Sequence, residues 1–322
     1  MPARMRRAFA AALCLFAVAA APASAAQPDC TGGGRGVPVN KISIQEFTFA
    51  GVLGTATGDT ARARLRQVFG YLHDTGYRNI ELYTLNGLPA TEVRALLDEY
   101  GLKASARHVN VGSPESPVDI SSILAENRVL GIKDFGSGAT PRGYTTASQW
   151  VAYAKYIDAL GEQARKAGQT LMVHNHNHEF ESSYADTMAY DILLANTDPR
   201  NVEFQVDLYW STRGLGVAEG ATSVAQADDL SADLVRRLGN RAQLFHVKDM
   251  STTIPAPGVS TSPFPGRIEI VGAGGIDFPS IFAASKGPMK YYAIEHDPRN
   301  DATFDPWVAA KAGFDYLSCV TY

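Results

Sequence analysis

Cysteine is scarce in this sequence, which has 3 cysteines among 322 residues. A structural zinc site built from thiolates is therefore excluded. The sequence also lacks a P-loop, a nucleophile elbow and a recognisable cysteine nucleophile. Low-complexity tracts and charged tails are absent as well.

Neither sign of charge is in large excess, because the formal net charge is -4 and the pI is near 6.0. Proteins that bind nucleic acid usually carry a strongly basic face. We therefore expect no nucleic-acid partner. The hydrophobic content of 45% is sufficient for a large core.

Long apolar runs are missing except at the N-terminus. Residues 1–26 combine the basic stretch "MPARMRR", the apolar stretch "AFAAALCLFAVAAAP" and an A-x-A site, "ASA", before Ala26. This pattern predicts a cleaved signal peptide, and "RRAF" adds a twin-arginine alternative to the Sec route. No later segment reaches the ~20 apolar residues of a membrane helix. We expect a periplasmic or secreted protein with no membrane contact after cleavage.

Two cysteines remain once the signal peptide is removed. Cys30 lies in a Gly- and Pro-rich stretch, residues 27–40, which we interpret as a flexible lead-in, and Cys319 lies near the C-terminus. In an oxidising compartment the two could form a disulfide that ties the ends of the chain together. Two independent thiols are the alternative at this stage.

From residue 41 to residue 322, short apolar runs alternate with longer helical patterns. In "ARARLRQVFGYLHDTG", for example, Leu65, Phe69 and Leu72 share one face and Gly76 ends the helix. Eight runs are typical of strands: "KISIQEFTF", "NIELYT", "KASARHV", "IKDFGSG", "TLMVHNH", "VEFQVDLYW", "AQLFHVKDM" and "KYYAIEHD". Eight such units predict an α/β fold, a single-domain (β/α)8 TIM barrel. Periodicity alone also permits an open doubly wound sheet.

The segment from Ser251 to Gly275 is rich in Pro, Gly and Ser and follows the seventh strand. It should therefore lie at the C-terminal face of the strands, where barrel active sites are built. Its end, "VGAGGIDF", does not complete G-x-G-x-x-G and does not follow the first strand, so we interpret it as a loop at the barrel mouth and not as a dinucleotide site.

Polar side chains cluster at the predicted strand ends. They are His108; His174, His176 and Glu179; Gln205 and Asp207; His246 and Lys248; Glu295 and Asp297. The pairs that are two residues apart share one face of their strand. Burying so many carboxylates and imidazoles in one barrel mouth costs free energy unless they share a binding partner. A divalent cation supplies one, and carboxylates with imidazole but no thiolate suit Mn²⁺, Mg²⁺, Co²⁺ or Zn²⁺.

The chain resembles the sugar phosphate isomerase/epimerase family, within the xylose isomerase-like TIM barrels. The resemblance runs from about Lys41 to the C-terminus and is carried by "GYRNIELY", "LLDEYGLKASARH", "HNHNHEFE", "TDPRNVEFQVDLYW", "LFHVKDM", "VGAGGIDF" and "YYAIEHD". It implies one divalent ion held by a Glu after strand five, an Asp on strand six, a His on strand seven and a Glu on strand eight. Those positions are Glu179, Asp207, His246 and Glu295. His174 or His176 is the alternative ligand, with Glu179 then behind the ligands.

The remaining polar residues receive roles by elimination. His174 and His176, with His108 opposite, are the candidate proton-transfer groups, because histidine needs the least tuning near neutral pH. Lys248 stabilises an oxyanion or binds a substrate hydroxyl, unless it forms an ion pair with Glu295 or Asp249. The candidate substrate-binding residues are Gln205, Trp210 and Phe47; core packing is the alternative for the aromatic ones.

These residues predict an exported metal-dependent enzyme that abstracts a proton next to a carbonyl. Isomerisation, epimerisation and β-elimination share that step. An exported protein without a phosphate-binding loop favours a free sugar, a keto-sugar or a keto-glycoside over a sugar phosphate. The alternatives are a non-catalytic sugar-binding protein and a metal-dependent phosphoesterase like endonuclease IV. The sequence does not decide between a monomer and a homo-oligomer.

Overall fold

The computed structural model describes residues 36–221, 223–252, 267–298 and 304–322. Eight strands form one sheet, and every described pairing in it is parallel. They are β1 Ile42–Ile44, β2 Asn79–Leu82, β3 Lys103–His108, β4 Asp134–Ser137, β5 Thr170–His174, β6 Val202–Asp207, β7 Ala242–Val247 and β8 Tyr291–Ile294.

The sheet closes on itself. Going round the barrel, the strand order is β1-β8-β7-β6-β5-β4-β3-β2. The remaining seam lies between β1 and β2, where a single parallel bridge joins Gln45 to Glu81. The predicted (β/α)8 barrel is thus confirmed, and the open doubly wound sheet is excluded.

Helices connect successive strands on the outside of the barrel. The longer ones span Gly58–Thr75, Ala90–Glu99, Ser121–Leu130, Ala147–Lys166, Ala189–Ala195, Leu208–Ala218, Val224–Leu238, Phe278–Ala284 and Pro306–Cys319, with short turns of helix at Ala50–Leu53 and His178–Glu181. The first of these buries Leu65, Phe69 and Leu72, and it ends at Gly76, whose φ of 115° suits glycine. The helical faces read from the sequence are therefore the buried ones.

Small hairpins decorate the connections. They pair Gly112–Ser113 with Ser116–Pro117, Ser183–Tyr184 with Thr187–Met188, and Asp249–Met250 with Ile268–Glu269. In the last one, the Asp249 carboxylate accepts hydrogen bonds from the backbone N–H groups of Gly272, Gly274 and Ile276. The glycine-rich "VGAGGIDF" segment is thus a loop folded around an aspartate, as expected from its lack of a dinucleotide pattern.

The core has two parts. Large apolar residues fill the space between the sheet and the helices. Inside the barrel, Ala106, Met172 and Leu244 form a small buried cluster from the alternate strands β3, β5 and β7. Two residues further along these strands come His108, His174 and His246. Because side chains repeat every two residues in a strand, these three histidines point to the same barrel axis.

The first described residues pack beside the last helix. Val37 is buried, and its N–H donates to the carbonyl of Leu317, so packing begins before Lys41. The predicted signal peptide and Cys30 lie outside the described residues. Cys319 is disulfide-bonded, and its pairing with Cys30 stays a prediction. Within the described part of the chain, none of the helices is both long and apolar enough to cross a bilayer.

Glu46 supports the seam between β1 and β2. Its fully buried carboxylate accepts hydrogen bonds from the backbone N–H groups of Tyr83 and Thr84, directly after β2, and from the Asn86 side chain. Burial raises the pKa of Glu46 to about 7, although these hydrogen bonds oppose the rise. Glu46 thus ties the two strands that share only one bridge.

Replacing Glu46 by Gln should change the pH dependence of stability. Between pH 4.5, the ordinary pKa, and about 7, the folded protein keeps a proton that the unfolded chain releases. The free energy of unfolding of the wild type therefore falls as pH rises through this window, by up to about 3 kcal/mol from this group. The neutral glutamine removes this contribution.

Urea denaturation of the wild type and Glu46→Gln at pH 4.5 and pH 7.5 measures the effect. We expect the variant to gain stability relative to the wild type at the higher pH. Glu219→Gln, at an exposed carboxylate, is the matched control and should show a constant difference. A constant difference for Glu46→Gln as well would contradict the assignment.

Candidate active site

The C-terminal ends of the strands bring polar side chains together at one mouth of the barrel. The predicted strand ends are slightly too long, since β5 stops at His174, β7 at Val247 and β8 at Ile294. His176, Lys248 and Glu295 therefore lie in the loops that leave the strands. They still border the same cavity of about 590 Å³, together with His108 and His174.

Glu81, at the end of β2, is the centre of the hydrogen-bond network. It is fully buried and accepts hydrogen bonds from the side-chain amides of Gln45 and Gln205, each at 2.7 Å. His246 Nε2 lies 2.9 Å and His108 Nε2 lies 3.0 Å from Glu81 Oε1. Burial alone would raise the pKa of Glu81, but attraction to the two imidazoles lowers it to about 2. Glu81 is therefore an ionised acceptor.

His246 lies between two carboxylates. Its Nδ1 is 2.7 Å from Glu295 Oε2, and its Nε2 faces Glu81. Burial opposes protonation, but the two carboxylates raise the pKa of His246 to about 10. The pKa of Glu295 is held well below its ordinary value, because the attraction of Lys248 and His246 exceeds the effect of burial. The two carboxylates thus favour the protonated imidazole, which has to lose its Nδ1 proton before that nitrogen can bind a metal ion.

Lys248 is buried among three carboxylates. Its Nζ is 2.9 Å from Glu295 Oε2, 3.0 Å from Asp207 Oδ2 and 3.0 Å from Asp297 Oδ1. Burial would lower the pKa of Lys248, but these carboxylates raise it well above the ordinary value. The ion pair with Glu295, one of the sequence-based alternatives, is thus present. Asp249 is instead occupied by the glycine-rich loop.

Asp207 ends β6 and begins the next helix. Its Oδ1 accepts the N–H of Trp210, whereas its Oδ2 receives no well-directed hydrogen bond from a described residue despite the nearby Lys248 ammonium. Burial raises the pKa of Asp207 to about 6. A buried carboxylate oxygen without a directed donor is suited to a cation.

His174 and His176 differ from the other two histidines. Neither Nδ1 has a hydrogen-bond partner among the described residues, and the closest carboxylate oxygen to His174 Nε2, Asp207 Oδ2, is 3.9 Å away. Burial, reinforced by neighbouring positive groups, lowers the pKa of both imidazoles well below the ordinary value. Both are neutral at pH 7 and both border the cavity.

Glu179 is placed behind these histidines, on the short helix His178–Glu181. Its carboxylate accepts hydrogen bonds from the Thr140 hydroxyl at 2.6 Å and from the backbone N–H of His176 at 2.9 Å. The period-two pattern stops at Asn177, whose helical backbone starts a turn closed by the N–H groups of Phe180 and Glu181. Burial raises the pKa of Glu179 to about 7.

The three predicted substrate-binding residues have different positions. Phe47 borders the cavity, where it packs edge-on against Tyr83. Gln205 is buried and does not border the cavity; its side chain is hydrogen-bonded to Glu81 and to His108 Nε2, each at 2.7 Å. Trp210 is buried against the His176 ring and the Lys248 ammonium. Trp210 and Gln205 therefore support residues that line the cavity without lining it themselves.

Gly138 allows close approach to His108. A Cβ at this position would lie 2.8 Å from His108 Nδ1, so a larger residue would displace the imidazole. The His108 ring is thus held by Glu81 and Gln205 at Nε2 and by the backbone of Gly138 at Nδ1. This explains a glycine at the end of "DFGSG".

Glu81 and Gln45 were not predicted as functional residues from the sequence. Both lie in runs identified as strands, but only residues nearer the strand ends were selected as functional. The available signal was a carboxylate in the middle of the buried run "NIELY", which requires partners to be buried at all. Its partners are distant in sequence, and no local pattern identifies them.

Two groups of side chains could hold a metal ion among the described residues. One is Asp207, His246 and Glu295, and the other is His108, His174 and His246; the donor atoms within each lie within 4.8 Å of one another. Neither includes Glu179. The first group fits a divalent cation by donor chemistry, and Asp207 Oδ2 has no well-directed donor among the described residues. Glu81 orients His246 through its other nitrogen. The Lys248 ammonium lies against the same carboxylate oxygens.

Several solved structures share this fold. A sugar phosphate isomerase/epimerase from Parabacteroides distasonis ATCC 8503 has a TM-score of 0.62 at 19% identity, over 88% of this chain and 95% of that one. A D-allulose 3-epimerase from Methylomonas sp. has a TM-score of 0.57 at 15% identity, over 88% of this chain and 97% of that one. The IolI protein with a bound zinc atom has a TM-score of 0.59 at 13% identity, over 85% of this chain and 95% of that one. The fold is thus one that sugar isomerases and epimerases use.

No curated protein matches the chain significantly. Residues 69–288, well over half of the chain, match the family model described as the xylose isomerase-like TIM barrel. This match agrees with the closed eight-stranded sheet and with the resemblance found in the sequence motifs. The chain belongs to the xylose isomerase-like TIM barrel family.

Proposed function

We propose that this protein is an exported, divalent-metal-dependent enzyme that removes a proton next to a carbonyl of a sugar. The reaction is an isomerisation, an epimerisation or a carbon–oxygen elimination, which share this step. The observation that carries the proposal is the division of four neighbouring histidines. His108 and His246 are bound to Glu81, whereas His174 and His176 are neutral and face the cavity.

The metal is held by Asp207, His246 and Glu295, with His174 beside them. When bound, a divalent ion polarises the sugar carbonyl and stabilises the enediolate charge that follows proton removal. Glu81 binds Nε2 of His246 and thereby leaves Nδ1 facing Glu295 and the proposed metal. The zinc atom of the IolI protein supports a metal in this fold.

Proton transfer is assigned to His176, with His174 as the second candidate. A general base must be unprotonated at the working pH and free of competing hydrogen bonds. His176 meets both conditions, since burial keeps it neutral and its Nδ1 has no hydrogen-bond partner among the described residues. Packing against Trp210 fixes the plane of its ring. Lys248, at the cavity border, stabilises negative charge on a substrate oxygen.

The charge of the site favours a sugar without phosphate. Glu81, Asp207, Glu295 and Asp297 surround the two cations Lys248 and His246, so a phosphate placed here would meet an excess of carboxylates. Arg142 is the other cationic residue that borders the cavity among the described residues, and it is exposed at the rim. A free sugar, a keto-sugar or a keto-glycoside fits better.

Deuterium exchange tests the proposal directly. The full mature chain, loaded with Mn²⁺, Co²⁺ or Zn²⁺, is incubated in D2O with free ketohexoses, keto-sugars and keto-glycosides. We expect incorporation at a carbon next to the carbonyl, detected by NMR and mass spectrometry. In His176→Asn the exchange rate should fall about 10²- to 10⁴-fold, the usual contribution of a general base.

His73→Asn, on the exposed surface of the first long helix, is the matched control and should keep the wild-type rate. A metal-loaded protein that exchanges no proton in any of these sugars would overturn the proposed reaction. If His176→Asn keeps full exchange, the base is a different residue.

Replacing Lys248 by Met should increase the dependence of stability on metal. Without the ammonium, Asp207 and Glu295 are left with less positive charge, so the metal-free variant should melt at lower temperature than the wild type. Because the ammonium and an ion contact the same oxygens, Zn²⁺ or Mn²⁺ should raise Tm more in Lys248→Met than in the wild type.

The matched control is Lys290→Met. Lys290 also binds two carboxylates, those of Asp134 and Glu203, each at 2.7 Å, but away from the site. This variant should lose stability without extra rescue by metal. Equal metal shifts in Lys248→Met and Lys290→Met would show that Lys248 does not compete with an ion.

A further inference from the structure

A second, smaller cavity opens beside the main one. It has a volume of about 250 Å³ and shares Asn110, Ser137 and Ala139 with the main cavity. We call it the side pocket. The two cavities are thus neighbours along these three residues, which is the arrangement that an elongated ligand occupying both would need.

The chemistry of the side pocket is neutral and rich in hydroxyl groups. Among the described residues, no charged side chain lines it. Ser116, Ser137 and Tyr153 each present a hydroxyl that makes no hydrogen bond to another described residue. Tyr153 is almost completely buried. Hydroxyls that can both donate and accept match the hydroxyls of a sugar. The described lining offers no cation to pair with a phosphate or a carboxylate.

The outer wall of the side pocket is a braced hairpin. Gly112 has a φ of +76°, and a Cβ there would lie 2.5 Å from the carbonyl oxygen of Ser116, so the tight turn requires glycine. At its base, the Tyr156 hydroxyl donates to the carbonyl of Val111 and accepts the N–H of Val118. The wall is thus held to the long helix Ala147–Lys166.

A second brace joins the hairpin to the loop on the other side of the pocket. The hydroxyls of Ser113 and Tyr144 both donate to the carboxylate of Glu115, at 2.8 and 2.7 Å. On the inner side, Thr140 is held by Glu179 and by His178 Nε2. The side pocket opens to solvent and is bordered by elements whose positions are fixed by hydrogen bonds, as a preformed ligand site requires.

We propose that the substrate is a glycoside of at least two sugar units. Its reacting sugar lies in the main cavity, near His174, His176 and Lys248, and its second unit lies in the side pocket, against Ser116, Ser137 and Tyr153. This inference rests on the proposed function and names the substrate class for that site. A monosaccharide leaves the side pocket without a ligand.

Binding measurements on the metal-loaded full mature chain test this. The probes are glucose and 3-keto-glucose, each compared with maltose, cellobiose, trehalose and their 3-keto derivatives, by calorimetry and saturation-transfer NMR. We expect at least one disaccharide to bind about ten-fold or more tightly than its own monosaccharide, the effect of two or three added hydrogen bonds. Equal affinity for every disaccharide and its monosaccharide would overturn the proposal.

Two variants locate the second sugar unit. Ser116→Trp fills the side pocket from its exposed rim, and it should abolish the advantage of the disaccharide without changing monosaccharide affinity. Ser121→Trp, at an exposed position outside both cavities, is the matched control. Tyr153→Phe removes one hydroxyl and keeps the ring, so it should reduce the disaccharide affinity several-fold even if the tryptophan variant folds poorly.

The outcomes separate the two proposals. If monosaccharides bind and exchange deuterium while disaccharides gain nothing, the side pocket is not a sugar site and the proposed reaction stands. Equal losses for both ligand lengths in Tyr153→Phe would also reject the side pocket. If no sugar of either length binds or exchanges deuterium, the proposed function itself is wrong.

Discussion

The carboxylate of Glu81 is the constraint on which the rest of the site depends. It is buried at the barrel axis and interacts with donors from four other strands or strand ends: Gln45, His108, Gln205 and His246. An ionised carboxylate can be buried only with such partners, and each partner is in turn oriented by it. Glu81 also forms the single bridge that joins β2 to β1. The seam of the barrel and the centre of the site thus depend on one residue.

This arrangement divides the histidines into two classes. Those bound to Glu81 are committed to carboxylates, and His246 is held in the charged form. Those on β5 and its loop find no carboxylate at hydrogen-bond distance, and burial keeps them neutral. Similar residues in one cavity therefore differ in charge because one carboxylate is within reach of some and not of others. Such a separation of pKa values is the usual basis for assigning acid, base and ligand roles.

Much of the fold was predictable because local periodicity determines it. Apolar runs of strand length and helical faces such as that of Leu65, Phe69 and Leu72 are visible in a short window. The convergence of Asp207, His246 and Glu295 was also predicted, since the ends of parallel strands meet. The partners of Glu81 were not, because His246 lies 165 residues away and no short-range pattern relates them.

Glu179 shows how a one-turn helix sets the direction of a side chain. Continued alternation would have placed its carboxylate on the face opposite His174 and His176, because Glu179 lies three residues beyond His176. The turn that starts at Asn177 instead directs it to Thr140 and to the backbone of His176. It now joins two loops, one carrying the candidate base and one forming the inner side of the side pocket. Thr140 and the backbone N–H of His176 are therefore bound to the same carboxylate. In the proposed substrate complex, one buried carboxylate would thus connect the wall of the side pocket with the residue proposed as the base.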